Sequence, residues 1–365
     1  MSAAGRLRDT RSIIVVSGVL VVVVLALPQV LDAFWTRRIT LWIPLALAAL
    51  GLNLLTGYNG QISVGHGALY GVGAYSTALI LNEWKWPQLA AIAASAVICF
   101  VAGVAVGLPA LRIKGLYLAL VTLAVATLFP QVLEQFSGTT GGSAGLAITN
   151  QEMNRRGVLA DRAIRVEAPT WTGLADDQWA YYVFLAVAAL CFLVVRNLVR
   201  SRVGRSMIAI RDNEVAAEVS GVNVAIVKVL TFGVSAALAG VGGAIFAILQ
   251  ARVSSGSFTL VASLYFLVAV VVGGSASIAG PAIGAVAIGL FQDVVTPALP
   301  ESVTPWDLNA KAATPLILGT MLILLMLAAP GGIVGSARQL RARLAVRAQR
   351  PADGPIPTPT TGGTP

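Results

Sequence analysis

GYNGQISVGHGALYGVGAY, residues Gly57–Tyr75, places six glycines and the polar residues Asn59, Gln61, Ser63 and His66 between two apolar runs. The preceding run covers about Ile39–Leu55, and the following one continues to Leu81. A lipid-facing helix cannot carry such a stretch uninterrupted. The backbone groups it frees must be buried in protein or line a water-filled cavity, because hydrocarbon supplies no hydrogen-bond partner. A second break, GGSASIAGP (Gly273–Pro281), aligns without gaps to NGQISVGHG (Asn59–Gly67), pairing Gly60 with Gly274, Ser63 with Ser277 and Val64 with Ile278. Each break runs into small-residue spacing, Gly67 and Gly71 in one and Gly280 and Gly284 in the other. Matched glycine-interrupted segments in two halves of a chain point to a transport pathway; they also suit tight turns and close helix contacts.

Working outward, the chain reads as an all-α polytopic membrane protein with glycine-rich breaks. Its hydrophobic fraction is 57%, its mean hydropathy +0.82 and its charged fraction 11%, less than half the usual share of a soluble domain. Apolar runs predict about ten transmembrane helices: Ile13–Leu31, Ile39–Leu55, the glycine-rich third, Leu89–Leu108, Leu116–Leu133, Trp179–Val195, Val229–Leu249, Thr259–Val272, Pro281–Val295 and Ala313–Ala329. Arg37 and Arg38 fall in an outer turn before the second span, where they oppose the local charge rule. Trp84 and Trp86 mark an outer interface. With both termini cytoplasmic, 16 of the 25 basic residues but 5 of the 16 acidic ones lie inside, as the positive-inside rule requires. The organisation is a cytoplasmic N-terminus (1–12), a transmembrane domain (13–335) and a basic, Pro- and Gly-rich tail (336–365) expected not to fold. An outer loop spans 136–178 and a polar cytoplasmic loop 196–228.

That loop, RNLVRSRVGRSMIAIRDNEVAAEVSGVNVAIVK (Arg196–Lys228), carries its own helix punctuation. Asp212 or Asn213 caps a short helix over Glu214–Ser220, and Gly221 stops it. Met207, Ile208, Val215 and Val219 recur at helical spacing. A short amphipathic pair tied at both ends to apolar helices suits docking of a soluble partner; its apolar side can equally lie on lipid headgroups.

Other chemistries find no support. The net charge of +9 resides at the ends of apolar runs rather than on a polar face, which argues against nucleic acid. Cys99 and Cys191 sit inside apolar runs with no metal-ligand spacing. No A-x-A site follows Val19–Leu27, so the first span reads as a retained helix and not a signal peptide. With one histidine and no acid at mid-span, no triad or metal site can be built, and no G-x-x-x-x-G-K-[ST] loop is present. Glu134 and Asp293, the acids nearest span interiors, lie at predicted outer ends. That counts against a proton- or sodium-driven carrier, which needs a carboxylate at depth. His66 reads either as a proton relay or as a neutral hydrogen-bonding residue. The G-x-G-x-x-x-G at Gly65–Gly71 is a packing pattern, since no βαβ unit surrounds it.

Five motifs in order resemble the M-type permease subunit of branched-chain amino acid ABC importers, the LivM family. They are GLNLLTGYNGQISVGHGALYGVGAY, LRIKGLYLALVTLA, TGGSAGL, GRSMIAIRDNEVAAEVSGVNVAIVKVLTFGVSAALAGVGGAIFA and VVVGGSASIAGPAIGA, over about residues 45–335. The resemblance implies an ABC importer permease fold in the bacterial inner membrane. It also implies a second, H-type permease as partner, two cytoplasmic ATPase subunits and a periplasmic or lipid-anchored solute-binding protein. ATP and Mg would be held by the ATPases, and this chain would hold no cofactor. Gly204, Arg205, Ile208, Ala209, Arg211, Asn213, Glu214, Ala216, Ala217 and Gly221 fall in the stretch that the resemblance assigns to ATPase coupling. The translocation pathway is expected at Asn59, Gly60, Gln61, Ser63 and His66 of the first break. From the second motif it takes Tyr117 and Thr122, and from the last Gly273, Gly274, Ser275 and Ser277. The implied function is ATP-driven import of branched-chain amino acids by alternating access. Urea or a short amide is the alternative cargo, and an ion-coupled secondary carrier or a passive channel the alternative class.

Overall fold

A computed structural model describes residues 22–111, 116–148 and 166–295, residues 331–336 and a few positions between 317 and 323. Residues 22–30 are helical. Asp32 then caps α1 (Ala33–Leu52), its carboxylate accepting the Trp35 N–H at 3.0 Å. Arg37 and Arg38 therefore belong to a helix and not to a turn. The reason is the Asp32 cap together with an ion pair of 2.6 Å between Arg38 and Asp293, which neutralises the charge that opposed the sequence rule. α1 continues into a π-helical turn, Asn53–Tyr58. After the first break, α2 (His66–Leu79) runs into a second π turn, Ile80–Trp84. Next come α3 (Gln88–Ala110) and α4 (Leu116–Gln135).

The segment after α4 folds back as a helical turn, Ser137–Thr140, a 3-10 turn, Gly142–Ala144, and strand β1 (Leu146–Ala147). β1 pairs antiparallel with β2 (Arg252–Val253), Leu146 opposite Val253, so part of the expected outer loop closes over the neighbouring helix end. α5 (Asp176–Arg200) leads to the short helices α6 (Arg202–Asp212) and α7 (Glu214–Val219). α8 (Val224–Gln250) starts five residues before the predicted span because Asn223 caps it, accepting the Ile226 N–H at 3.1 Å. The polar link between α5 and α8 is thus Ser201–Asn223, shorter than the sequence suggested. α9 (Leu260–Gly273) and α10 (Gly280–Leu290) complete the described bundle, with a π turn at Phe291–Val295.

Among the described residues, five helical segments are long and apolar enough to cross a membrane: Ala33–Tyr58, Gln88–Pro109, Tyr117–Gln135, Asp176–Arg200 and Val224–Gln250. The start of the first expected span, the Arg112–Gly115 turn, residues 149–165, most of the last span and the tail lie outside the described residues.

α8 is the axis of the bundle, and small residues make it so. A Cβ on Gly240 would run into Cys99 of α3, one on Gly243 into the Tyr70 carbonyl of α2, and one on Gly242 into the Pro44 carbonyl of α1. Three helices thus reach the α8 backbone itself, the close approach that van der Waals packing exploits when lipid offers no hydrophobic contrast. α1 and α8 run antiparallel: Arg37 bonds the Leu249 carbonyl at one end, and Ser235 bonds the Gly51 carbonyl nearer the other.

Candidate functional site

The two glycine-rich breaks meet at the α6–α7 end of the bundle. In the first, the chain leaves the π turn at Tyr58, turns at Gly60 (φ 74°) and begins α2 at His66. His66 Nε2 lies 2.8 Å from Ser235 Oγ, whose single proton goes to the Gly51 carbonyl. Ser235 must therefore accept from an Nε2–H. Nδ1 is left to accept from the Ser63 hydroxyl at 3.3 Å, so the neutral imidazole satisfies every partner. Gly51 precedes Tyr58 by seven residues, so the break climbs back roughly 10 Å into the bundle before α2 starts. Two neighbours hold this re-entrant backbone: Val64 N–H donates to Thr122 Oγ1 at 3.0 Å, and Gly67 N–H to Ser263 Oγ at 2.8 Å.

The second break repeats the geometry. Gly274, aligned with Gly60, has φ 110°, and α10 begins at Gly280, the position aligned with His66. Asn53, fully buried in the π turn, joins the two breaks. Its Nδ2 donates to the Ser277 carbonyl at 2.9 Å, and its Oδ1 accepts the Ala276 N–H at 3.0 Å. Gly57 lies so close to Ala276 that a Cβ would meet its backbone nitrogen at 2.6 Å.

α6 rides on this junction. Met207 is buried among Leu50, Leu54 and Tyr58 of α1 and its π turn, Val195 of α5 and Leu238 of α8. Arg211, in the last turn of α6, donates from Nη1 to the Gly57 carbonyl at 3.0 Å, and its stem covers Gly60. Gly204 permits the tight α5–α6 corner, where a Cβ would strike the Val199 carbonyl. Asn213 caps α7 by accepting the Ala216 N–H, and Gly221 (φ 84°) ends it. An ion pair of 2.8 Å between Glu214 and Lys228 ties α7 to α8. The opposite side stays open: Val215 and Val219 are 68% and 85% exposed, beside the exposed Arg205, Asn213 and Ala216.

The chain matches, over residues 35–327, the protein family described as the permease component of branched-chain amino acid transport systems. The chain belongs to this family. Among its relatives, the high-affinity branched-chain amino acid transport permease LivM of Escherichia coli K12 is 29% identical over 87% of this chain and 74% of its own length. LivM of Salmonella typhimurium LT2 is 30% identical over 80% of this chain and 68% of its own. The LivH permease of the same Salmonella strain is 26% identical over 81% and 93%, respectively. No solved structure matches the chain.

In this branched-chain amino acid permease, most of the sequence-predicted pathway residues converge. Asn59, Gly60, Gln61, Ser63, His66 and Thr122 gather around the first break, and Gly273, Gly274 and Ser277 around the second. Tyr117 does not join them; it is 72% exposed on the outer face of α4, and Ser275 is also exposed. Both amide atoms of Asn59 and Gln61 Oε1 are buried without a hydrogen-bond partner among the described residues. Of the coupling residues, Gly204 and Ala217 are buried, Ile208, Ala209 and Glu214 are half-buried, and Arg211 alone reaches a break by hydrogen bond. Asn53, Ser235 and Ser263 escaped sequence reasoning. Asn53 carried a signal, being an amide inside an apolar run, where a polar group must find a partner. The two serines carried none, since a small hydroxyl tolerates the interior of any such helix.

Proposed function

We propose that this chain is the M-type permease subunit of an ABC importer in the bacterial inner membrane, moving branched-chain amino acids inward by ATP-driven alternating access. In this reading the α6–α7 end is cytoplasmic, as its Arg196, Arg200, Arg202, Arg205 and Arg211 favour. Both termini are cytoplasmic and the full chain has about ten spans. The partner permease is of the H type, two ATPases holding ATP and Mg dock on the open side of α6 and α7, and a binding protein delivers solute at the far end.

The observation that carries the reading is the bond from Arg211 to the Gly57 carbonyl. A movement imposed on α6 reaches the first break directly, and through Asn53 the second. The breaks are then the inner gate, and the unpaired amide of Asn59 and carbonyl oxygen of Gln61 offer hydrogen bonds to a passing polar head group. Arg211, the charge that reaches this junction, is engaged by Asp212 and the Gly57 carbonyl, so the groups left unpaired at the breaks are neutral and hold a cargo weakly, as a conduit requires.

The test is ATP-dependent uptake of labelled leucine into proteoliposomes holding this chain with its partner subunits, with urea as competitor. Uptake that requires ATP and ignores urea supports the reading. Uptake of urea instead overturns the cargo, and uptake driven by an ion gradient overturns the class. Arg211→Glu should abolish uptake while the ATPases still co-purify and hydrolyse ATP; normal uptake by that variant sinks the coupling assignment.

A further inference from the structure

At the end remote from α6 and α7, a cavity of about 400 Å³ opens between α1, α8, α9 and α10. Its wall has two chemically distinct zones. Arg38 and Asp293 face each other across 2.6 Å and both line the void. Beside them lies an aromatic zone of Trp42, Tyr265, Phe266 and Phe246. Arg38 comes from the α1 face that also presents Trp42, four residues on, so one helix supplies a cation and an apolar plate to the same space.

The charged end is a built arrangement. Trp42 Nε1 donates to Asp293 Oδ2 at 2.9 Å, which fixes the carboxylate plane and leaves Oδ1 turned to Arg38. The indole can lie there only because Gly289 has no side chain, since a Cβ would overlap the ring. The Asp293 side chain is 12% exposed, whereas that of Arg38 is 45% exposed and stacks 5.1 Å from the Phe34 ring centroid. The acid is largely buried and held by two partners, whereas the base reaches it from a half-exposed position. An ion pair with one partner this exposed contributes little by itself. Opening it to admit a ligand with both charges replaces one ion pair by two, and the guanidinium fork can take a carboxylate in bidentate fashion.

We propose that this cavity receives a zwitterionic α-amino acid with an apolar side chain: Asp293 takes the ammonium, Arg38 the carboxylate, and the Trp42, Tyr265 and Phe266 wall the side chain. The site deepens the importer reading and rests on it, as the place where solute first leaves the binding protein. Neither charge stands out in the sequence, where Arg38 reads as a turn residue and Asp293 as an acid too close to a span end for ion coupling.

Saturation-transfer NMR on the assembled transporter in phosphatidylglycerol nanodiscs, without the binding protein, tests it with leucine, leucinol (no carboxylate) and 4-methylpentanoate (no ammonium). Leucine should give a transfer signal in the wild type. Asp293→Asn should weaken leucine about tenfold while sparing 4-methylpentanoate, and Arg38→Gln should weaken leucine similarly while sparing leucinol, since each removes one ion pair. Arg38→Met with Asp293→Met leaves no unpaired charge, so it serves where a single variant fails to assemble; it should lose the leucine signal. An unchanged leucine signal in that double variant overturns the site. So does silence from a wild-type transporter that imports leucine, which leaves the importer reading standing. Import of urea in place of leucine removes the reading and the site together. A zwitterionic lipid presents the same two charges. Phosphatidylethanolamine that co-purifies with the wild type and is lost from the double variant, without any leucine response, assigns the cavity to lipid and overturns the proposal.

Discussion

Replacing Asn53 by leucine should separate the two glycine-rich breaks. Asn53 is fully buried and makes two hydrogen bonds, one donated to Ser277 and one accepted from Ala276. Leucine has the same branching and number of side-chain heavy atoms but is bulkier, so the change removes the bonds without opening a cavity, and any overpacking adds to the cost. Each bond is worth roughly 1 kcal/mol net in water-soluble proteins and nearer 0.6 kcal/mol in membrane helices. A buried N–H deprived of its acceptor costs roughly another 1–3 kcal/mol. Ala276 also sits at φ 56°, a left-handed conformation that costs a non-glycine residue about 1–2 kcal/mol and that Asn53 helps hold. The expected destabilisation is about 3 kcal/mol, roughly a hundredfold in the folded-to-unfolded ratio. Thr40→Val on the same helix is the control. Thr40 is equally buried, but its hydroxyl bonds only the Thr36 carbonyl one turn back, so the loss should stay below about 1 kcal/mol. Equilibrium unfolding in SDS of the two variants reads the difference. If Asn53→Leu comes within about 0.5 kcal/mol of Thr40→Val, the two breaks are not coupled through this amide and the reasoning fails.

Two further outcomes follow from the same contacts. His66→Gln keeps a donor within reach of Ser235 but loses the acceptor for Ser63, and should leave most ATP-driven uptake in place; complete loss of uptake by a properly assembled variant would mark His66 as a proton carrier. Gly243→Leu forces a side chain into the Tyr70 carbonyl where α2 crosses α8, an overpacking that costs upwards of about 3 kcal/mol, and should prevent accumulation of the subunit in the membrane, as immunoblotting would show.

The parts of this fold that sequence exposes are those where chemistry is local. Asn213 and Gly221 bracket α7 because a cap and a left-handed stop act within one turn, and both are visible in the string DNEVAAEVSG. The gapless alignment of the breaks carries into three dimensions because Gly60 and Gly274 answer the same backbone demand, a positive φ just before a helix start. What sequence conceals is pairing across distance. Nothing near Arg38 announces Asp293, 255 residues away, so a neutralised pair reads as an exception to the charge rule. Met207 on α6 turns inward while Val215 and Val219 on α7 face out, although all share helical spacing, because which sides of the two helices are covered depends on where α1 ends. Thr122 joins the first break and Tyr117 does not, a choice made by the rotation of α4 against Gly65.

The distribution of polar groups along α1 is asymmetric, and in the proposed importer it would favour one direction. Toward the α6–α7 end, α1 and its π turn offer neutral hydrogen-bonding groups, among them Asn53 and the carbonyls of Gly51 and Gly57, each engaged by another element, and the Arg211 guanidinium at Gly57 is itself paired with Asp212. Toward the opposite end the same helix offers a full charge, Arg38, paired but half exposed. Charges bind a zwitterion more strongly than amides do, because charge-assisted hydrogen bonds are about twice as strong as neutral ones. A solute crossing along α1 would therefore meet its stronger contacts first and weaker ones at the breaks, so release at the α6–α7 end costs least. Under the proposed importer mechanism, that gradient would let α6 act by opening a gate rather than by expelling a bound ligand. In the proposed mechanism the bond from Arg211 to the Gly57 carbonyl would act on the backbone of the break itself, at a residue with no side chain of its own.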